Sequence, residues 1–201
     1  MTKGRIEAFS DGIFAIAATL LVLEIKVPAP GGGSLWHGLA QLWPSFAAYG
    51  VSFFTIGIIW VNHHGQYDRL VRMNRTMLFV NLLLLFWVAF IPFPTALVAE
   101  YLRDGSTSAQ HVAAAVYSGT LLVMGLSFFA GWRYAVHAGL LQEDTSSVEV
   151  RYLLRRNRLG QVGYALAVVL SFVSAGLAVA ICGLVAAYYV YPGRPPKADG
   201  R

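Results

Sequence analysis

Long apolar blocks alternate along the chain with short polar segments. Because a membrane span needs about 20 apolar residues, the blocks predict six transmembrane helices, at about residues 6–27, 42–63, 77–101, 109–136, 157–174 and 176–191. The last two share one apolar block that would measure about 50 Å as a single helix, against a hydrocarbon core of about 30 Å. We therefore expect a turn near residues 174–176. The pattern predicts an all-α membrane protein, with residues 1–201 forming one transmembrane domain.

Prolines and polar residues refine these spans. Pro28 is expected to end the first span, and Pro92 and Pro94 are expected to kink or break the third. Ser10 and Asp11 interrupt the first apolar segment, and no clear Ala-x-Ala cleavage site follows it. We expect this segment to be a retained helix rather than a signal peptide.

The composition supports a membrane protein. The chain is 57% hydrophobic and 12% charged, about half the charged fraction of soluble domains. The net charge of +5 arises from basic residues between spans, which indicates membrane orientation and a lipid bilayer as partner rather than nucleic acid. Cys182 is the single cysteine, so no intrachain disulfide can form.

The basic residues predict the orientation of the spans. With six spans, 13 of the 15 Lys and Arg residues fall on one side of the membrane. These are Lys3, Arg5, Arg69, Arg72, Arg75, Arg133, Arg151, Arg155, Arg156, Arg158, Arg194, Lys197 and Arg201. Lys26 and Arg103 fall on the other side, and a five-span arrangement would move the three C-terminal charges there as well. The positive-inside rule therefore favours six spans with both termini cytoplasmic.

The first predicted helix contains the strongest candidate functional residues. Asp11 lies near its start, and an ionisable side chain at membrane depth is a functional candidate. Ile16, Leu20 and Leu23 fall on one stripe of the helix together with Phe9, while Asp11 lies about 140° from Ile16. The stripe can therefore face a pore while Asp11 faces neighbouring helices. Two alternatives remain open: the stripe contacts lipid or packs, and Ser10 with Asp11 caps the helix.

Three motifs resemble the transmembrane protein 175 family of potassium channels. The first is Arg5-x-x-x-Phe9-Ser10-Asp11, followed by an apolar run. The second is Trp60-Val-Asn-His-His64 at the end of the second span, and the third comprises the Asn81 run and Ile91-Pro-Phe-Pro-Thr95 in the third span. The resemblance covers spans one to three, whereas spans four to six match only in length and hydropathy.

The resemblance implies a homotetramer of six-span subunits in a prokaryotic cell membrane. In the family the first helix of each subunit lines a central pore with an apolar constriction. The matching positions here are Ile16, Leu20 and Leu23, with Thr19 as a polar position beside them. The chain lacks a Thr-Val-Gly-Tyr-Gly loop, so a carbonyl filter is not expected. The implied function is a potassium-permeable channel rather than an enzyme, with no cofactor and K⁺ as the permeant ion.

Polar residues of the second and third spans are candidates for supporting the first helix. Trp60, His63 and His64 end the second span on the side of Asp11, which could accept a hydrogen bond from a histidine or from Trp60. We expect Arg5 and Asp11 to be mainly architectural, through buried hydrogen bonds. Asn81 is expected to bond between helices.

No metal site is expected at the histidine pair. Adjacent histidines on a helix point about 100° apart, so His63 and His64 do not chelate one ion.

Two other function classes compete with the channel. A proton-coupled secondary transporter would use Asp11 with His63 or His64 as a relay, but transporters often contain internal repeats and no second Phe-Ser-Asp occurs here. A membrane enzyme or haem protein would need a constellation of polar groups that the spans do not offer. We therefore favour the channel over the transporter.

Overall fold

The computed structural model describes residues 3–28, 34–143 and 145–191, and its regular elements there are helical apart from one isolated β-bridge. The α-helices are α1 (Lys3–Leu20), α2 (Leu35–Gln41), α3 (Trp43–Asp68), α4 (Arg75–Phe90), α5 (Pro92–Asp104), α6 (Thr107–His137), α7 (Ser147–Ser171) and α8 (Ala175–Val190). A short 3-10 helix, Leu21–Glu24, continues α1. The predicted all-α class is confirmed.

Four helical segments of the described chain are long and apolar enough to cross a membrane. They are Lys3–Glu24, Trp43–Asp68, Arg75–Asp104 and Thr107–His137, and they match the first four predicted spans. Helix α8 is apolar but has 16 residues. Helix α7 combines an arginine-rich first half with an apolar second half.

Helix α7 starts about ten residues before the fifth predicted span, which covers residues 157–174. Helix α7 begins at Ser147, and Ser146 caps it because its Oγ accepts a hydrogen bond from the Glu149 backbone N–H at 3.1 Å. The apolar pattern begins only later, but Arg and Glu are good helix formers, so the helix extends into the charged sequence. The short helix α2 was not predicted.

The expected break in the third span is confirmed. Helix α4 ends at Phe90 and α5 begins at Pro92. Pro92 has no N–H to donate to the Val88 carbonyl, and the Ile91 backbone N–H donates to that oxygen instead, at 3.2 Å. The proline therefore divides one predicted span into two helices.

Helix α6 is the centre of the bundle and contacts α4, α5, α7 and α8. A buried hydroxyl cluster ties it to two further helices. Ser52 Oγ lies 2.7 Å from Thr95 Oγ1 and 2.9 Å from Tyr117 Oη. These bonds join α3, α5 and α6 inside an otherwise apolar core. They also give each buried hydroxyl the hydrogen-bond partner that buried polar groups need.

Two contacts link segments of the chain that are far apart in the sequence. At one end, Lys26 Nζ lies 3.0 Å from Glu100 Oε2. At the other, Leu70 and Leu141 form the β-bridge, joining the segment after α3 to the segment after α6. Helix α1 packs mainly against α3 and α4 and lies at the edge of the bundle.

Candidate pore helix and its supporting network

Helix α1 has one buried face and one uncovered face. Its buried residues, Ile6, Ser10, Phe14 and Ala17, recur every three or four positions and pack on α3 and α4. The side chains of the predicted stripe lie on the other side, where Phe9, Ile16 and Leu20 of α1 are 53%, 59% and 42% exposed. Leu23 lies on the 3-10 helix that continues α1 and is 73% exposed. Large apolar side chains left uncovered by their own chain indicate contact with lipid or with another subunit.

Thr19 is exposed like the predicted stripe. Its hydroxyl donates to its own helix, with Oγ1 lying 3.0 Å from the Ala15 carbonyl and 2.9 Å from the Ile16 carbonyl. The Thr19 hydroxyl proton therefore makes a hydrogen bond within α1, and the hydroxyl oxygen can still accept a hydrogen bond from elsewhere.

A buried polar network joins α1 to α3 and α4. Ser10 Oγ donates to the Ile6 carbonyl at 2.9 Å and accepts from Asn81 Nδ2 at 3.1 Å. Asn81 Oδ1 lies 2.9 Å from His63 Nε2. Because the Asn81 amide nitrogen donates to Ser10, the Asn81 amide oxygen faces His63. This oxygen can only accept a hydrogen bond, so His63 Nε2 carries the proton. Each of these buried groups thus has a partner.

Aromatic rings hold the imidazole of His63 in place. The Tyr67 ring stacks on it with centroids 4.1 Å apart, and the Phe14 ring of α1 lies 5.4 Å away. His63 therefore fixes the packing of α1 through a ring contact as well as through Asn81.

Asp11 bonds to Trp60 and to neither histidine. Asp11 Oδ1 accepts a hydrogen bond from Trp60 Nε1 at 2.8 Å. Of the two kinds of partner predicted from the sequence, a histidine or Trp60, the structure therefore has Trp60. The alternative of Ser10 and Asp11 as a helix cap is wrong, because α1 begins at Lys3 and both residues lie inside it.

The expectation of buried hydrogen bonds for Arg5 and Asp11 is not met within a single chain. The Asp11–Trp60 bond is exposed, and Arg5 makes no hydrogen bond or ion pair with any described residue. The reason is helical geometry: Arg5 lies within about 40° of Phe9 and Ile16 around α1. It therefore shares the uncovered face of α1, which the other described residues do not cover.

His64 points away from His63 and belongs to a separate cluster. Its Nε2 lies 3.6 Å from Asp68 Oδ2, and the Glu7 carboxylate of α1 lies nearby, with all three potential ligand atoms within 4.8 Å of one another. Glu7 and Asp68 were not predicted from the sequence. The spacing of His64 and Asp68, four residues apart on a helix, was the available signal.

A groove of about 350 Å³ opens between α1 and α3. Its lining is apolar apart from the Asp11–Trp60 pair, and consists of Asp11, Phe14, Ala15, Ala18, Phe53, Ile56, Gly57 and Trp60. The uncovered side of α1 is thus continuous with a concave apolar surface.

Similar proteins share this architecture. Residues 5–92 match the family model described as endosomal/lysosomal potassium channel TMEM175. A protein of Streptomyces collinus named a potassium channel is 52% identical over 189 residues, covering 93% of this chain and 91% of that protein. A protein of Chamaesiphon minutus with the same description is 44% identical over 190 residues, covering 92% of each.

A solved structure agrees over nearly the whole length. It is the crystal structure of a lysosomal potassium-selective channel TMEM175 homolog from Chamaesiphon minutus, with a TM-score of 0.84, 43% identity, and coverage of 94% of this chain and 96% of that one. The similarity therefore extends beyond the first three spans and includes the last three, contrary to the sequence-based expectation. The chain belongs to the TMEM175 family.

Proposed function

We propose that this protein is a potassium-permeable channel in which α1 of each of four subunits lines the pore. The proposal is carried by the uncovered apolar face of α1 and of the 3-10 helix that continues it, formed by Phe9, Ile16, Leu20 and Leu23. The relatives of this chain are named potassium channels. Four copies of such a face around a symmetry axis would cover one another and enclose a path. The bacterial relatives support a location in a prokaryotic cell membrane.

The constriction would be apolar. A ring of four Ile16 side chains, followed by rings of Leu20 and Leu23, makes a narrow and poorly wetted neck, and such necks gate by dewetting. Potassium holds its hydration water less tightly than sodium, so it crosses at lower cost. Thr19, exposed beside the stripe, would offer a hydroxyl oxygen to a partly dehydrated ion.

The network behind α1 would keep the constriction in place. Ser10, Asn81 and His63 fix the rotation of α1 about its axis through buried bonds. A rotation of one residue, about 100°, would replace Ile16 with a neighbouring side chain. In this role Ser10, Asn81 and His63 do not touch the ion.

Six spans with cytoplasmic termini fit the packing. The Lys26–Glu100 ion pair and the Leu70–Leu141 bridge lie at opposite ends, as alternating spans require. Helix α7 would cross with its apolar second half and α8 would return, while the arginine-rich first half of α7 stays in the cytoplasm. Arg194, Lys197 and Arg201, which also support this orientation, lie outside the described residues.

Potassium flux from liposomes tests the proposal, with Ile16→Asn as the diagnostic variant. The wild-type protein is expected to pass K⁺ passively and Na⁺ less well. In Ile16→Asn a polar amide wets the neck, so the K⁺/Na⁺ flux ratio should fall several-fold.

Leu184→Asn is the matched control, because Leu184 is an exposed apolar residue on α8, and its flux ratio should stay at the wild-type value. An unchanged ratio in Ile16→Asn would remove Ile16 from the filter. No passive flux from folded oligomers would instead favour the proton-coupled transporter, although Asp11 bonds to neither His63 nor His64 in the structure.

A further inference from the structure

Three side chains of metal-binding type meet where α1 begins and α3 ends. Glu7 comes from the second turn of α1, and His64 and Asp68 come from the last turns of α3. His64 and Asp68 are four residues apart, so both project from one face of the helix. The ligand atoms of all three lie within 4.8 Å of one another. None of the three belongs to the Ser10–Asn81–His63 network.

These groups do not satisfy one another. His64 Nε2 and Asp68 Oδ2 are 3.6 Å apart, beyond hydrogen-bond distance, and Glu7 makes no ion pair with any described residue. Four tetrahedral ligands about 2.0–2.2 Å from a metal lie about 3.3–3.6 Å apart. The His64 and Asp68 side chains are 64% and 59% exposed. Small side-chain rotations can therefore bring the ligand atoms to this tetrahedral spacing.

The electrostatics of the cluster favour a cation. Asp68 is the last residue of α3, where its carboxylate meets the negative end of the helix dipole. Glu7 adds a second carboxylate across the interface with α1. A divalent ion would neutralise the negative charges of the two carboxylates.

We propose that Glu7, His64 and Asp68 bind a divalent transition-metal ion of the zinc type, with water completing the coordination. Imidazole nitrogen and carboxylate oxygen are both zinc ligands, whereas Mg²⁺ prefers oxygen ligands and retains its waters. The bound ion joins the start of α1 to the end of α3. This site does not depend on whether the protein conducts potassium.

Isothermal titration calorimetry of the purified, tag-free protein with ZnCl₂ tests the site, with MgCl₂ as the comparison metal. The wild-type protein is expected to bind one Zn²⁺ per chain and to show no comparable Mg²⁺ binding. Because each variant removes one ligand, His64→Ala and Glu7→Gln should each weaken Zn²⁺ binding at least tenfold. Both positions lie at the helix ends and outside the apolar core, and thermal unfolding without metal verifies that the variants fold.

His137→Ala is the matched control, since His137 is an exposed histidine in the last turn of α6. It should keep the wild-type Zn²⁺ affinity, and Zn²⁺ should raise its melting temperature as it does that of the wild type. The proposal is overturned if the wild type binds no Zn²⁺. It is equally overturned if Glu7→Gln binds like the wild type, or if His137→Ala loses as much affinity as His64→Ala.

Discussion

Asn81 is the residue through which α1, α3 and α4 are joined. Its amide nitrogen donates to Ser10 on α1, and its oxygen accepts from His63 on α3. Asparagine fits this position because one short side chain supplies both a donor and an acceptor. Replacing Asn81 removes one hydrogen bond from each of two buried side chains, Ser10 and His63.

Replacing Asn81 with alanine should lower the free energy of unfolding by about 1–3 kcal/mol, because Ser10 and His63 each lose a buried bond. Thermal unfolding of the purified protein in detergent measures the change. Asn62→Ala is the control, since the Asn62 amide donates to the Ile58 carbonyl of its own helix at 2.7 Å and joins no second helix. Equal losses for the two variants would show that the interhelical bonds add nothing.

At the scale of elements, α7 and α8 pack through a glycine of α7 against which a tyrosine side chain of α8 lies. A Cβ added at Gly160 would overlap the Tyr189 side chain of α8. That side chain is held in turn, because Tyr189 Oη lies 3.2 Å from the Arg156 carbonyl and Arg156 Nη2 donates to the Tyr189 carbonyl at 3.1 Å. The packing of the Tyr189 side chain on α7 therefore requires glycine at this position.

We expect Gly160→Ala to reduce the free energy of unfolding by about 1–3 kcal/mol, since the methyl group forces Tyr189 to move and disturbs its bonds. Gly119→Ala on α6 is the matched control: nothing lies within 4 Å of its added Cβ. There alanine should be neutral or stabilising by up to about 1 kcal/mol, as in helices generally. Thermal unfolding of both variants makes the comparison, and a stable Gly160→Ala protein would contradict this view of the interface.

At the scale of the whole molecule, the Asp11 carboxylate is exposed on the surface of the single chain. Its single described partner is Trp60, and both residues line the groove between α1 and α3. In a bilayer such a carboxylate is costly unless other protein covers it. Assembly of several subunits would supply that cover.

Asp11→Ala should therefore chiefly reduce the yield of the oligomer, because Trp60 Nε1 loses its acceptor at the surface that assembly would bury. Size-exclusion chromatography with light scattering measures the oligomeric fraction. Glu143→Ala, at an exposed residue after α6, should assemble normally. If Asp11→Ala assembles normally but conducts differently, Asp11 belongs to the permeation path instead.

Site-directed labelling can test the six-span orientation. In a Cys182→Ala background, a cysteine at Glu143 should react with an impermeant maleimide only from the cytoplasmic side. A cysteine at Ser108, exposed in the first turn of α6, should react only from the outside, because α6 crosses between the two positions. Labelling of both from the same side would contradict the proposed topology.

Local sequence was enough to predict much of the helical architecture. The apolar blocks predicted the four long spans, since hydropathy and helix length are properties of contiguous residues. Pro92 predicted the break between α4 and α5 for the same reason: a missing N–H disrupts its own helix whatever surrounds it. Hydropathy did not locate the start of α7 at Ser147, because the charged first half of this helix gives no apolar signal.

The sequence by itself determined the helices, the stripe on α1 and the family motifs, because each depends on neighbours in the chain or on periodicity. Only the tertiary structure decided the partners. In the fold, Asp11 forms a hydrogen bond with Trp60, and His63 forms one with Asn81. The fold also places Glu7 beside His64 and Asp68. These pairings depend on the rotation and register of one helix against another, which arise from packing across the whole bundle and not from the spacing of residues along any one helix.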